Sequence, residues 1–342
     1  MKKIAIQEAV GLPLCHDMTA IRNDSGKETL FRRGHVLREE DIPVLLSMGK
    51  TNVFVGNPEA GQIHEDEAGL LGAKALAGPG ITFSGPQEGR FRLFAETDGL
   101  FTINRSALLD LNAIPDYTAA TIPHNTPVRK GHPVAGVRIV PLVTQKENVE
   151  QVQALLDSHG PILTIRPYLP LRAGLIITGT EVYTGRVEDL FEPVLRGKMA
   201  QYGAKVLGLQ KCPDDPAHIQ KAAEDFLEQG ADLILFTGGM SVDPDDVTPL
   251  AIRKTGAVVV SQGLPMQPGN MLMLAYLEDT ALIGVPGAAM HRKITSLDVI
   301  LPRIFTGETL KTADLLQLGE GGLCLDCTPC GYPACYFGRS FY

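Results

Sequence analysis

From about residue 171 onward, short apolar runs alternate with stretches of helical spacing, and this alternation restricts the fold more than any other feature of the chain. Leu175-Ile176-Ile177, Lys205–Leu209, Asp232–Phe236 and Ala281–Val285 read as strands. Between them, residues 188–202 are helical in spacing, and Ile219, Ala222, Ala223, Phe226 and Leu227 repeat at helical intervals before Gly230. Runs that are apolar throughout, separated by amphipathic helices, predict a mostly parallel sheet buried on both faces. The fold class expected here is therefore α/β, a three-layer α/β/α domain, preceded by a smaller β-rich N-terminal region.

The upstream half reads differently. Residues 4–55 carry short strands around one helix near Glu39–Leu46, and Asn52-Val53-Phe54-Val55 is a strand. A short helix is expected within 60–80. From Phe91 to Val143, runs such as Arg92–Ala95, Leu100–Ile103 and Tyr117–Ile122 are broken by Gly, Pro and Asn, which suggests a small barrel-like β domain. The division expected is an α+β segment over 1–60, a β-rich domain over 61–168, an α/β domain over 169–308, and a cysteine-rich tail over 309–342.

Charge and hydropathy remove several function classes. A net charge of −8 argues against a nucleic-acid surface, which needs clustered Lys and Arg. No apolar run approaches the ~18–20 residues of a membrane span. Gln7 and Glu8 interrupt the only leader-like stretch, so Met1–Glu8 reads as a first strand and the cytoplasm as the expected location.

In open parallel sheets, ligands bind beyond the carboxyl ends of the strands. The first strand ends in Thr178-Gly179-Thr180-Glu181, and the third in Thr237-Gly238-Gly239-Met240-Ser241 followed by Val242–Pro249. Glycines let a backbone approach a ligand and turn its amides toward an anion, and Thr and Ser add hydroxyl donors. Asp243, Asp245 and Asp246 beside such a cradle point to a bridging Mg²⁺ or to oxyanion handling. The plainer alternatives are a tight Gly-Gly turn, turn-forming aspartates around Pro244, and Asp246 as a helix N-cap.

These loops, with Pro268-Gly269 and Gly284-Val285-Pro286-Gly287, resemble the molybdopterin-binding domain shared by molybdopterin adenylyltransferases, molybdopterin molybdotransferases and gephyrin. The ordered set is most similar to the molybdotransferase branch, and Asp246–Pro249 also resembles the adenylyltransferase branch. The likeness covers about 135 residues. It implies binding of molybdopterin, or of adenylylated molybdopterin that reacts with molybdate and releases AMP.

Position by position, the resemblance implies ligand contacts at Thr178, Gly179, Thr180, Thr237, Gly238, Gly239, Ser241, Pro268, Gly269, Asn270, Pro286 and Gly287. It places Glu181 and Asp246 as catalytic carboxylates, with Asp243 and Asp246 toward Mg²⁺. Expected partners are molybdopterin, molybdate and a molybdoenzyme, and the expected assembly is a homo-oligomer. The competing reading is a non-catalytic carrier or chaperone that hands the cofactor to a molybdoenzyme. A third is a hydrolase acting on a dinucleotide.

Departures from the family pattern fall on charge. A Lys-Pro-Gly-Lys-Pro loop becomes Gln267-Pro268-Gly269-Asn270-Met271, and Asn-Pro after the last Pro-Gly becomes Ala288-Ala289. Gln and Asn donate hydrogen bonds but supply no charge beside a phosphate. His291, Arg292 and Lys293 follow at once, either as replacement cations or as solvated residues. Gly34–Val55 and Asp98-Gly99 resemble molybdotransferase segments more faintly, and they stand elsewhere in the chain order.

Four of the six cysteines, Cys324, Cys327, Cys330 and Cys335, fall within twelve residues. That spacing approaches a ferredoxin run, so an iron–sulfur cluster, Zn²⁺ or redox thiols are the alternatives.

Overall fold

The computed structural model describes residues 1–22, 26–241, 243 and 246–339. It separates into two compact units. One comprises Met1–Thr97, Ile103–Ile122 and Lys130–Ile165; the other comprises Asp98–Thr102, Pro123–Arg129 and the chain from Arg166 onward.

In the first unit, strand β1 (Lys2–Ala5) pairs antiparallel with β2 (Asn52–Val55), with Ile4 opposite Val53. Between them, helix α1 (Ile42–Ser47) turns Leu45 into a small core with Ile6, Leu14, Met18, Phe31, Leu37 and Val53. Helix α2 (Glu65–Leu76) is capped by the His64 imidazole, which accepts the Asp66 amide at 3.1 Å. It lies against an antiparallel sheet of β3 (Ile81–Gln87), β4 (Arg90–Ala95), β5 (Tyr117–Thr121) and β6 (Pro133–Ile139), in the order β3-β4-β6-β5. Small residues permit that approach: a Cβ on Gly72 would stand 3.1 Å from the Tyr117 ring. The Tyr117 hydroxyl donates to the Ala68 carbonyl at 3.0 Å. β3 and β5 are the two ends of this sheet, so this part of the β-rich region is an open sheet rather than barrel-like.

The second unit is built on six strands: β7 (Arg172–Thr178), β8 (Lys205–Cys212), β9 (Leu233–Thr237), β10 (Val258–Gln262), β11 (Met273–Leu277) and β12 (Thr280–Val285). Their order is β8-β7-β9-β12-β11-β10. The first four are mutually parallel, and β11 and β10 continue the sheet antiparallel. That antiparallel edge is the one part of the sheet the strand–helix alternation does not anticipate.

Side-chain alternation shows why helices cover both faces. Leu175, Ile177, Leu233, Leu235 and Ile283 join a core with Phe191, Leu195 and Met199 of α3 (Phe191–Gln201). The intervening Ile176, Ile234, Phe236 and Leu282 join the opposite core. That core also holds Ile219, Ala222 and Phe226 of α4 (Pro216–Glu228) and Ile252 of α5 (Thr248–Lys254). Gly174 sets the distance of α4 from the sheet, because a Cβ there would lie 2.5 Å from the Phe226 ring. Helix α6 (Ser296–Ile304) completes the first face, started by a Thr295/Asp298 capping box. The expected α/β/α architecture is therefore present. No helix among the described residues is long and apolar enough to cross a membrane.

Candidate functional site

β7, β9 and β12 run in parallel, so Thr178, Thr237 and Val285 end at the same edge of the sheet. β11 runs the other way and starts there, with Met273 opposite Gly284. All four loops singled out in the sequence are thus delivered to one end, by strand direction alone.

A hydroxyl network ties the first two loops together. The Thr178 hydroxyl donates to the Thr237 carbonyl at 2.9 Å, and the Thr248 hydroxyl donates to the Gly238 carbonyl at 2.9 Å. The two hydroxyl oxygens stand 3.0 Å apart. Each owns one hydrogen, so that contact must share a proton already given to a carbonyl. Gly238 has φ +84°, and a Cβ there would fall 2.1 Å from the Thr178 carbonyl oxygen. On the other side, the Thr180 amide donates to Asp214 at 2.8 Å, and the Asp214 amide donates to the Thr180 hydroxyl at 3.1 Å. Glu181 is exposed, as are Ser241 and Asp243.

One group in this network lacks a partner. The Thr237 hydroxyl is fully buried and makes no hydrogen bond among the described residues. A buried hydroxyl left so costs free energy, which a bound water or ligand would recover.

Asp246 is half-buried, and its carboxylate accepts the Asp243 amide at 3.0 Å while its own amide donates to the Asp243 carbonyl at 2.9 Å. This closes a turn. Helix α5 then begins at Thr248 with Val247 at its cap and no side-chain cap bond, so Asp246 is not the N-cap. Asp245 lies outside the described residues.

Ser296 fastens the third loop, its hydroxyl donating to the Gly269 carbonyl at 2.6 Å and its amide to the Pro268 carbonyl at 3.1 Å. Gly269 has φ +106°, and a Cβ would lie 2.3 Å from the Ser296 hydroxyl. Asn270 is exposed. In the fourth loop Pro286 is buried and Gly287 is exposed, and a Cβ on Gly287 would meet nothing within 4 Å. The glycines at 238 and 269 are therefore required by the chain's own packing; the one at 287 leaves open space. His291, Arg292 and Lys293 are exposed. Beneath them Lys198 forms a buried ion pair with Asp298 and donates to the Lys293 carbonyl at 3.3 Å, so its charge is already committed.

Residues 174–306 match a family model described as a probable molybdopterin binding domain. These residues form a domain of the molybdopterin-binding family. Residues 3–57 match a second model, a domain of unknown function. A CinA-like protein of Mycolicibacterium gilvum is 42% identical over 77 residues, covering 22% of this chain and 18% of that protein. A molybdopterin molybdenumtransferase of Synechococcus elongatus is 25% identical over 166 residues, covering 46% of this chain and 41% of that protein. The chain thus spans less than half the length of either relative. Among solved structures, the molybdopterin biosynthesis enzyme MoaB of Thermus thermophilus is 21% identical with a TM-score of 0.33, covering 41% of this chain and 99% of that one.

The cysteine tail is held against the third and fourth loops of the molybdopterin-binding domain. The Gln267 amide donates to the Gly322 carbonyl at 2.7 Å, and the Cys324 amide donates to the Gln267 carbonyl at 2.8 Å. Arg292 pairs with Asp326 at 2.8 Å, and the Tyr332 hydroxyl donates to the Asp298 carbonyl at 2.9 Å. Arg339, buried above the Tyr332 ring, donates to the carbonyls of Asn125 and Pro333 at 2.6 Å each. Burial pushes the Tyr332 phenol well up from its ordinary value. Cys324 and Cys335 are half-buried, Cys327 and Cys330 are exposed, and all four are free thiols. No group of three or more His, Cys, Asp or Glu side chains is gathered to hold a metal ion among the described residues. That holds for the four cysteines, whereas Asp243 and Asp246 flank Asp245, which lies outside the described residues.

Of the residues that lock the loops, Thr248 entered the sequence reading only within the Asp246–Pro249 run, and Asp214 and Ser296 were not singled out. Ser296 carried a signal through the Thr-Ser-x-Asp capping pattern at 295–298.

Proposed function

We propose that the four loops bind molybdopterin, and that the protein acts in molybdenum-cofactor maturation on adenylylated molybdopterin and molybdate, as a molybdotransferase does. The observation that carries this reading is the open space over Gly287 at the sheet end where the unpartnered Thr237 hydroxyl also lies. A flat pterin needs backbone access of that kind, and a buried hydroxyl gives it a fixed donor. Thr178, Gly179, Thr180, Gly238, Gly239, Pro268 and Pro286 shape the loops, while Ser241 and Asn270 offer exposed polar contacts. Glu181 is the exposed carboxylate in reach of solvent and ligand. Asp246, with Asp243, would supply oxygen ligands to a Mg²⁺ bound together with a phosphate.

A carrier that delivers the cofactor to a molybdoenzyme is the second reading. It is favoured by Gln267 and Asn270, which put no cation in the third loop, and by Lys198, whose charge Asp298 neutralises. The test is anaerobic equilibrium dialysis against molybdopterin and against its adenylylated form with Mg²⁺ and molybdate, measuring bound pterin and released AMP. Binding with AMP release is expected. Binding without release makes the protein a carrier, and absence of binding overturns both readings.

A further inference from the structure

Within the first unit, a cavity of about 330 Å³ is walled by residues from five separate segments, among them His16, Lys50, Glu65, Glu88 and Arg138. His16 and Lys50 belong to the segment matched by the domain of unknown function, and the others lie outside it. A volume of this order suits a small metabolite.

Glu65 is only 4% exposed, and Gly89 makes its place possible: a Cβ on Gly89 would stand 2.2 Å from the Glu65 Oε2. Burial, then the neighbouring Asp66, pushes its carboxyl up to about 7, with Arg138 pulling the other way. His16 is held below its ordinary value by burial and by Lys50, so its imidazole is neutral at neutral pH. Asp17, on the same wall, already accepts the Arg33 amide at 2.9 Å. Lys50 and Arg138, by contrast, form no ion pair with a carboxylate among the described residues, and the Arg138 Nε donates to the Ile139 carbonyl at 3.4 Å. The two cations balance Asp17 and Glu88 in formal charge. The protonation of Glu65 therefore decides whether the wall is neutral or negative, and two cationic donors remain uncommitted.

We propose that this cavity is a binding site for a tetrahedral oxyanion, free or as the phosphate of a small molecule, held by Arg138 and Lys50 with protonated Glu65 donating the third hydrogen bond. An ionised Glu65 would repel such a ligand, so binding takes up a proton. The proposal does not rest on pterin binding at the other unit's loops.

The test is equilibrium dialysis of the full chain against sulfate, which stays a dianion near neutrality, at constant ionic strength. Wild-type affinity should be about tenfold weaker at about pH 8 than at about pH 6, because the protonated fraction of an acid titrating near 7 falls by that factor. Glu65→Gln should bind with one affinity at both values, since its amide donates without titrating. Arg138→Gln and the exposed Lys50→Ala should each weaken binding at both, with far-UV circular dichroism checking the fold. Phosphate and molybdate, run in parallel, rank the natural source of the oxyanion. Wild-type binding that is absent at about pH 6, a pH dependence retained by Glu65→Gln, or binding that survives both cation substitutions overturns the site.

Discussion

Two buried threonines, eleven residues apart, should answer the same substitution in opposite ways. Thr237 and Thr248 are both fully buried beside the double-glycine loop. The Thr248 hydroxyl donates to the Gly238 carbonyl at 2.9 Å and touches the Thr178 hydroxyl at 3.0 Å; the Thr237 hydroxyl has no partner among the described residues. Valine has nearly the shape of threonine, so Thr248→Val keeps the packing and strands the carbonyl of the half-buried Gly238. Leaving such an acceptor unsatisfied costs about 1–3 kcal/mol. At ~2–4 °C per kcal/mol for a unit of this size, Tm should fall by about 2–12 °C. Thr237→Val removes a hydroxyl that gives the fold nothing, and replacing it with a methyl should be neutral or stabilising by up to about 1 kcal/mol.

Differential scanning calorimetry on the two variants and on Thr248→Ser separates the terms. Serine keeps the hydroxyl and loses one methyl, at about 0.8 kcal/mol. The order expected is Thr237→Val at or above wild type, then Thr248→Ser, then Thr248→Val lowest. If Thr248→Val is as stable as wild type, the hydroxyl network does not hold the loops. If Thr237→Val is the most damaging, its hydroxyl has a structural partner and is no ligand donor. With molybdopterin bound, the order should invert for Thr237, which then loses affinity without having lost stability.

Two further predictions concern glycine and charge. Gly287→Ala should leave the unfolding free energy within about 0.5 kcal/mol of wild type while weakening pterin binding; Gly238→Ala, forced against the Thr178 carbonyl at φ +84°, should cost about 2–4 kcal/mol before any ligand is added. Equal thermal stability of the two variants would contradict that assignment. Glu65 binds its proton more tightly when folded, so stability should decline as pH rises from about 4.5 to about 7 and then level off, by at most about 3 kcal/mol. Urea unfolding across that range should show the decline in wild type and a smaller one in Glu65→Gln; identical slopes would mean Glu65 titrates normally.

The sheet of the second unit could be read from the chain because a strand covered on both faces is apolar at every position, as Leu175–Ile177 and Leu233–Phe236 are. β10 escaped that reading for the opposite reason. It is an edge strand whose Val258 is 74% exposed, so its apolar run follows neither template. Loop positions were legible through glycine at strand ends, whereas their fastening was not, since Thr178 meets a partner seventy residues away. Glu65 looks like one of three solvated acids in the first turn of a helix. The approach of Gly89, carried there by the turn between β3 and β4, helps to remove it from water. The cysteine spacing was equally plain, yet the tail is held by backbone pairing at Gln267 and by Tyr332 and Arg339 rather than by gathered thiols.

Resemblance to the molybdopterin-binding family and departure from it fall on physically different positions. Gly238, Gly269, Thr178 and Pro268 sit where backbones touch or loops are tied, and a change at the two glycines disturbs the loops whatever the ligand. Gln267, Asn270 and His291–Lys293 are exposed, where a change of charge costs the fold almost nothing and alters only what the loops can hold. A chain can therefore keep the cradle while its electrostatics drift. In the third loop that drift removes the cations that would steady a departing phosphate or an entering oxyanion. Arg292 does not restore them freely, because Asp326 of the tail shares its charge. An exposed pair of this kind is worth only about 0–1 kcal/mol, little enough for a bound phosphate to displace the carboxylate and recruit the guanidinium. Under the proposed function, catalysis turns on the charge at the exposed positions, and pterin binding on the packed loops together with the open face at Gly287. The two properties can be lost separately.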